Sequence, residues 1–156
     1  MENGTSVTRK MIIFQLEDEE YAIPVNHIGS IERLLPITRV PQTAPFVKGV
    51  INLRGVVIPV IDLRLRFQMK EAVLNDNKRI IIALINEMEV GLIVDSANDV
   101  IDIREDQIES PPAVIGTIDA DYIDGIAKID NRLLILLNLL TVLSFEELDK
   151  IQSLEV

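Results

Sequence analysis

One stretch of this chain is written twice. Phe46–Phe67 reads FVKGVINLRGVVIPVIDLRLRF, and YIDGIAKIDNRLLILLNL runs from Tyr122 to Leu139. At a constant offset of 76 residues, Phe46 falls on Tyr122, Gly49 on Gly125, Leu53 on Ile129, Gly55 on Asn131, Asp62 on Asn138 and Leu63 on Leu139. Each copy holds two apolar runs of β-type residues around a short polar tip. In the first copy the tip is Asn52-Leu53-Arg54-Gly55. Asn at the first and Gly at the fourth position predict a type I turn, closed by a left-handed glycine as a G1 bulge. Asn131 takes the place of Gly55, and Asn is the residue after glycine that best tolerates positive φ. The tips carry opposite charge, because Arg54 falls on Asp130. A long cation at a hairpin tip serves no apolar wall, so the tip is a candidate for function.

The repeat extends beyond this hairpin. Met11–Leu16 and Tyr21–Val25 flank the acidic stretch Glu17-Asp18-Glu19-Glu20, and Arg79–Ile85 and Val90–Val94 flank Asn86-Glu87-Met88-Glu89. Leu16 falls on Leu84 at an offset of 68, while Ile23, Ile28 and Ile31 fall on Leu92, Ala97 and Val100 at 69. One residue inserted in the turn accounts for the change. Ile37–Pro41 is echoed by Ile108–Pro112. Each half therefore reads hairpin, third strand, proline loop, hairpin. About five short strands per half cannot bury both faces as an open sheet, and closure removes the edges. The expectation is an all-β chain of two small barrels packed side by side, with strand exchange between them left open. The chain reads as a single domain over 1–156, with pseudo-repeats at roughly 10–69 and 78–143 joined by a polar connector. Asp62 is placed to N-cap a short helical turn. Ser144-Phe145-Glu146-Glu147 is a capping box that opens a C-terminal helix over 145–154.

Apolar residues make up 48% of the chain but aromatics only 4%, so Ile, Leu and Val must fill the core. A formal charge of −10 repels nucleic acid and anionic membrane, so neither is an expected partner. The chain has no cysteine, which excludes disulfides and thiolate chemistry. The apolar run Leu133–Leu143 is too short to span a bilayer, and Met1–Lys10 has no signal-type apolar region, so a cytoplasmic location is expected. The single histidine, His27, has no evident Ser or Thr partner and cannot build a nitrogen–sulfur zinc site alone. Asp95, Asp99, Asp102 and Asp106 recur every three to four residues and read as a solvated face. The four acids Glu17–Glu20 read likewise as a solvated tip. No phosphate-binding glycine loop is present. No metal and no cofactor are expected. What remains is an apolar trough of Val25, Ile28, Ile31 and Ala97, with Arg54 at its rim. Such a surface suits an amphipathic helix bearing an acidic residue. The alternative reading is a small-molecule-binding or hydrolytic β-barrel protein.

The segment Phe46–Phe67 resembles the most characteristic stretch of the CheW-like family of chemotaxis coupling proteins. The likeness continues through EEYAIPV (Glu19–Val25), ITRVP (Ile37–Pro41) and VGLIVD (Val90–Asp95) to the second-copy hairpin. The resemblance implies two intertwined five-stranded SH3-like barrels. It implies a non-enzymatic adaptor between the cytoplasmic tip of chemoreceptors and the regulatory domain of the histidine kinase CheA. Such an adaptor is monomeric when free, reaches membrane-associated receptor arrays only through partners and inserts into no membrane. Carried over residue by residue, the receptor contacts fall on Ile12, Val25, Ile28, Ile31 and Ala97 in the trough, with Gly49, Arg54 and Gly55 at the hairpin. The kinase contact is expected on the second barrel, with no residue fixed. Ser30 stands where some relatives carry Glu, and the nearby acid, Glu32, is expected on the opposite face.

Overall fold

The computed structural model describes residues 7–111, 114–115 and 118–152. In chain order, β1 (Thr8–Leu16) and β2 (Glu19–Pro24) form the first hairpin. A 3-10 turn (Val25–His27) leads into β3 (Ile28–Arg33). The hairpin β4 (Val47–Leu53) and β5 (Val56–Asp62) runs into α1 (Leu63–Arg66). Beyond the connector come β6 (Arg79–Ile85), β7 (Met88–Val94) and β8 (Ser96–Arg104), then β9 (Ile108–Glu109), β10 (Val114–Ile115) and β11 (Ile118–Asp119). The final hairpin, β12 (Ile123–Ile129) and β13 (Arg132–Leu137), is followed by α2 (Leu139–Val142) and α3 (Phe145–Gln152).

The strands form two main sheets, ordered β8-β1-β2-β13-β12-β9 and β3-β6-β7-β5-β4, beside the small pair β10-β11. The sheets are not the two sequence halves. The hairpin β1–β2 joins strands of the second half, and β6–β7 joins strands of the first. Both exchanged hairpins dock through a parallel pair. Glu20, Tyr21 and Ala22 register with Leu134, Ile135 and Leu136, and Gly91, Leu92 and Ile93 with Val60, Ile61 and Asp62. The sheets have six and five strands, where the resemblance implied five each.

Near-continuous apolar runs are what strands buried on both faces require, and these strands use both. In the six-stranded sheet Met11, Ile13, Ala22, Ile103, Ala127, Leu134 and Leu136 fill its own core. In the five-stranded sheet Ile51, Ile58, Val60, Ile80, Ile82 and Ile93 do the same. The opposite faces meet in a shared core that includes Phe14, Tyr21, Ile23, Ile61, Ile81, Leu92 and Ile135. The five-stranded sheet closes on itself. Thr38, past the end of β3, exchanges both backbone hydrogen bonds with Val50 of β4, at 2.8 and 2.9 Å.

The repeat is visible in atomic detail. Asp62 N–H donates to Phe46 O at 2.8 Å, and Asn138 N–H to Tyr122 O at 2.8 Å. Asp62 caps α1 by accepting from Arg64 N–H at 2.9 Å, as predicted, and Asn138 caps α2 by accepting from Leu140 N–H at 3.0 Å. Asp62 is fully buried, and its second oxygen accepts Ala72 N–H at 3.0 Å. The capping box at Ser144 also forms. Ser144 N–H donates to Glu147 at 2.7 Å, and Glu147 N–H to Ser144 Oγ at 3.1 Å.

The Arg54 hairpin is tighter than predicted. Leu53 pairs with Val56, leaving the two-residue loop Arg54-Gly55 with φ of +52° and +86°. That is a type I′ turn, not a type I turn with a G1 bulge. Its twist matches the twist of the flanking strands, and Asn52 Oδ1 locks it by accepting Gly55 N–H at 2.8 Å.

Candidate functional site

The edge strands β3 and β8 come from equivalent positions of the two halves and carry the trough residues Ile28, Ile31 and Ala97. In β3, Ile28 registers with Ala83, Ser30 with Ile82 and Ile31 with Ile81, so a bulge falls at Gly29. Ala83 and Ile81 face the shared core. The bulge therefore restores Ile28 and Ile31 to one face although they are three residues apart. Ile28 is half-buried against the shared core, while Ile31 is 37% exposed. In β8, Ala97 registers with Phe14 and Val100 with Ile12. Ala97 packs on the shared core, Ile12 is buried and Val100 is 55% exposed. β6 runs against both β8 and the 3-10 turn that carries half-buried Val25. Ala97 thus lies on the outer strand of the six-stranded sheet with Ile12 on the strand beside it, while Ile28 and Ile31 lie on the outer strand of the five-stranded sheet and Val25 in the turn before it. Val100 belongs with them and was not singled out. Its signal was present, because it occupies the repeat position of Ile31.

Arg54 projects from the β4–β5 tip with its side chain 74% exposed, and its guanidinium reaches Glu32 at 3.4 Å. That contact brings the tip to β3, on the strand face opposite Ile31. The expectation for Glu32 needs correction. Ser30 and Glu32 register with Ile82 and Ile80, so they share a face, as residues two apart on a strand must. Gly55 lies in the exposed turn. Gly49 is buried, with φ +141°, and a Cβ there would stand 2.1 Å from Thr38 O. It shapes the hairpin at the closing contact and offers no side chain to a partner.

Glu17, Asp18, Glu19, Asp99, Asp102 and Asp106 are exposed, as expected, but Asp95 and Glu20 are not simply solvated. Asp95 is only 14% exposed. It receives Arg64 at 2.9 and 2.5 Å and Glu17 N–H at 2.7 Å, and Lys78 lies at 3.4 Å. Burial alone would raise its carboxyl. The hydrogen bonds from Arg64 and Glu17 and the charges of Arg64 and Lys78 outweigh that and hold it below the usual carboxylate range. Glu20 takes a two-pronged bond from Arg132 at 3.0 and 2.8 Å, which lowers it likewise against a smaller effect of burial. Arg132 also reaches Asp99 at 3.3 Å, Lys10 lies 3.8 Å from Asp102, and Arg104 lies 3.0 Å from Asp106. These acids are tied to cations on several elements, with Arg132 shared by Glu20 and Asp99 and Arg64 by Asp95 and Glu17. His27 lines a shallow cleft with Arg9, Lys10, Pro24 and Asp124. Among the described residues no group of three His, Asp or Glu could hold a metal ion.

Fold and site together define a two-sheet β scaffold that exposes Ile31 and Val100 on edge strands and Arg54 at a hairpin tip. Comparison with known proteins gives the class a family. A model of the CheW-like domain matches residues 10–147. The chain is 47% identical over 137 residues to the chemotaxis protein CheW of Bacillus subtilis, covering 88% of each protein. It is 34% identical over 145 residues to the chemotaxis protein CheW of Klebsiella aerogenes, covering 93% of this chain and 87% of that one. A crystal structure of the scaffolding protein TtCheW from Thermoanaerobacter tengcongensis superposes with a TM-score of 0.83 at 38% identity. That match covers 90% of this chain and 96% of the other. The chain belongs to the CheW-like family.

Proposed function

We propose that this protein is a non-enzymatic adaptor of chemotaxis signalling, coupling the cytoplasmic tips of chemoreceptors to the regulatory domain of the histidine kinase CheA. The observation that carries the reading is this exposed set of side chains. Ile31 and Val100 are held on edge strands of two interlocked sheets, too exposed for core residues, and the Arg54 tip reaches the same strand as Ile31 through Glu32. A receptor tip is a helical hairpin, and the apolar face of such a helix fits exposed apolar side chains. An acid on the helix would meet the Arg54 guanidinium. The receptor surface comprises Ile12, Val25, Ile28, Ile31, Val100 and Ala97, with Arg54 and Gly55 at the rim. The kinase docks on the second repeat. No helix among the described residues is long and apolar enough to cross a membrane. The adaptor acts in the cytoplasm, is monomeric when free and reaches receptor arrays through its partners.

Signalling then follows from relayed contact. A shift of the docked receptor tip changes how the kinase is held, and a coupling of about 1–3 kcal/mol is enough to bias its activity. Pair affinities near micromolar, roughly −8 kcal/mol, suffice because an array presents many sites at once.

Co-sedimentation with receptor-tip fragments and the kinase tests this, with kinase activity read in each mixture. Wild-type protein is expected to form ternary complexes in which the receptor controls the kinase. Arg54→Ala is expected to weaken receptor coupling with the fold intact, since its guanidinium is largely in solvent. Failure of the wild-type protein to associate with either partner would overturn the proposal.

A further inference from the structure

Arg66, the last residue of α1, sits at the junction of the two repeats. Its guanidinium carbon lies 5.0 Å from the centroid of the Phe46 ring and 5.1 Å from that of Tyr122. These are the two aromatics that the 76-residue offset sets in correspondence. Its Nε donates to Val142 O at 2.5 Å, and Val142 is the position matching Arg66 in the second repeat. Its Nη2 donates to Glu147 of α3 at 3.2 Å. Only 17% of the Arg66 side chain is exposed. A planar, permanently charged fork stacked between two rings is a role that a lysine fills poorly.

Glu147 is also the capping-box residue of α3, so one carboxylate both starts the helix and ties it to the body. α3 is eight residues long, belongs to no strand ladder, and buries Leu148 and Ile151 against the shared core. One of its sides, through Glu147, Lys150 and Ile151, forms a wall of a cleft of about 450 Å³. The facing wall is the proline loop, with Pro41, Ala44, Phe46 and Val47. Phe46 thus belongs both to the Arg66 stack and to the cleft.

We propose that α3 is a strap latched by Arg66, and that its release, short of unfolding either sheet, unroofs this cleft. Elements held by few buried side chains open more often than strands in the middle of a sheet. Release removes the wall of Glu147, Lys150 and Ile151 and opens the Phe46 side of the cleft. The event is a property of this chain alone and does not depend on any partner.

Amide hydrogen exchange on the full chain tests it. In Arg66→Ala, the amides of residues 146–152 are expected to exchange at least tenfold faster, while those of β6, β7 and β13 stay within about twofold of wild type. Glu147→Gln keeps an acceptor for Ser144 N–H, and so keeps the cap, but loses the ion pair. It is expected to accelerate the same amides by a smaller factor and no others. Uniform acceleration throughout Arg66→Ala, or unchanged α3 rates in Glu147→Gln, would overturn the latch. Should Arg66→Ala not fold, the Glu147→Gln rates decide alone.

Discussion

Gly49 and Gly55 lie on the same hairpin, and glycine is required at each for a different reason. At Gly55 a Cβ would meet nothing within 4 Å, so only its φ of +86° resists a side chain. Gly55→Ala should therefore cost about 1–2 kcal/mol, the strain of a left-handed L-residue. At Gly49 the same strain is joined by a collision with backbone, since Thr38 O would lie 2.1 Å from the new Cβ. Gly49→Ala should cost about 3 kcal/mol or more, because overpacking adds to strain and a carbonyl in a closing ladder cannot swing aside. Urea denaturation of both variants measures the difference, and equal losses would refute the steric account. Alignment of the two repeats matched Gly49 with Gly125. It did not reveal what excludes a side chain, because the blocking carbonyls belong to Thr38 and Glu109, on segments that pair with the hairpin only after folding. Arg54 was legible as a tip residue. Val100 was legible only by carrying Ile31 across the repeat.

Whole elements are joined by charges that the sequence presented as solvent-facing. Asp95, between β7 and β8, binds Arg64 of α1 and the backbone of Glu17 in the β1–β2 turn, linking three elements from both halves. Glu20 of β2 binds Arg132 of β13 beside the parallel junction of those strands. Spacing along a strand shows where an acid can point, but not that a cation from the other repeat waits there. Both carboxyls are held below their usual range in the folded protein. A depressed folded-state pKa contributes stability above the unfolded value, about 4 for carboxyls, and that stability is lost as pH falls through the folded value. Acidification from about pH 5 downward should therefore lower the urea midpoint progressively. Asp95→Asn should be less stable at pH 7 and should show a shallower loss toward acid. A variant with the wild-type slope would remove Asp95 from the acid response. The short-range capping signals, by contrast, were fully legible. As caps, Asp62 and Ser144 act through backbone groups two and three residues away, so local sequence holds the capping partners, while the bond from Ala72 to Asp62 lies beyond it.

At the scale of the molecule, the sequence repeat and the physical sheets divide the chain differently. The repeat was legible because duplicated apolar runs and turn residues keep a constant offset. The exchange of hairpins was not. An apolar run buried on both faces reports that partners exist, not which half supplies them. Exchange has a direct energetic consequence. Without β6 and β7 the first half would lose the centre of the β3-β6-β7-β5-β4 sheet, leaving β3 and β5 with unpaired edges. Without β1 and β2 the second half would lose the strands between β8 and β13. Each half would also expose its side of the shared core, including Phe14, Tyr21 and Ile23 from one and Leu92, Val94 and Ile135 from the other. Neither half should therefore fold alone. Residues 1–77 and 78–156, made separately, should show no cooperative thermal transition. Mixed in equal amounts, they should form a one-to-one complex with a single transition, since the exchanged hairpins can still find their sheets. Cleavage of the intact chain at the exposed connector near Asn75 should likewise leave the two pieces together on gel filtration. Two independent transitions from the separate halves would show that each repeat carries its own fold and that the exchange of hairpins contributes little to stability.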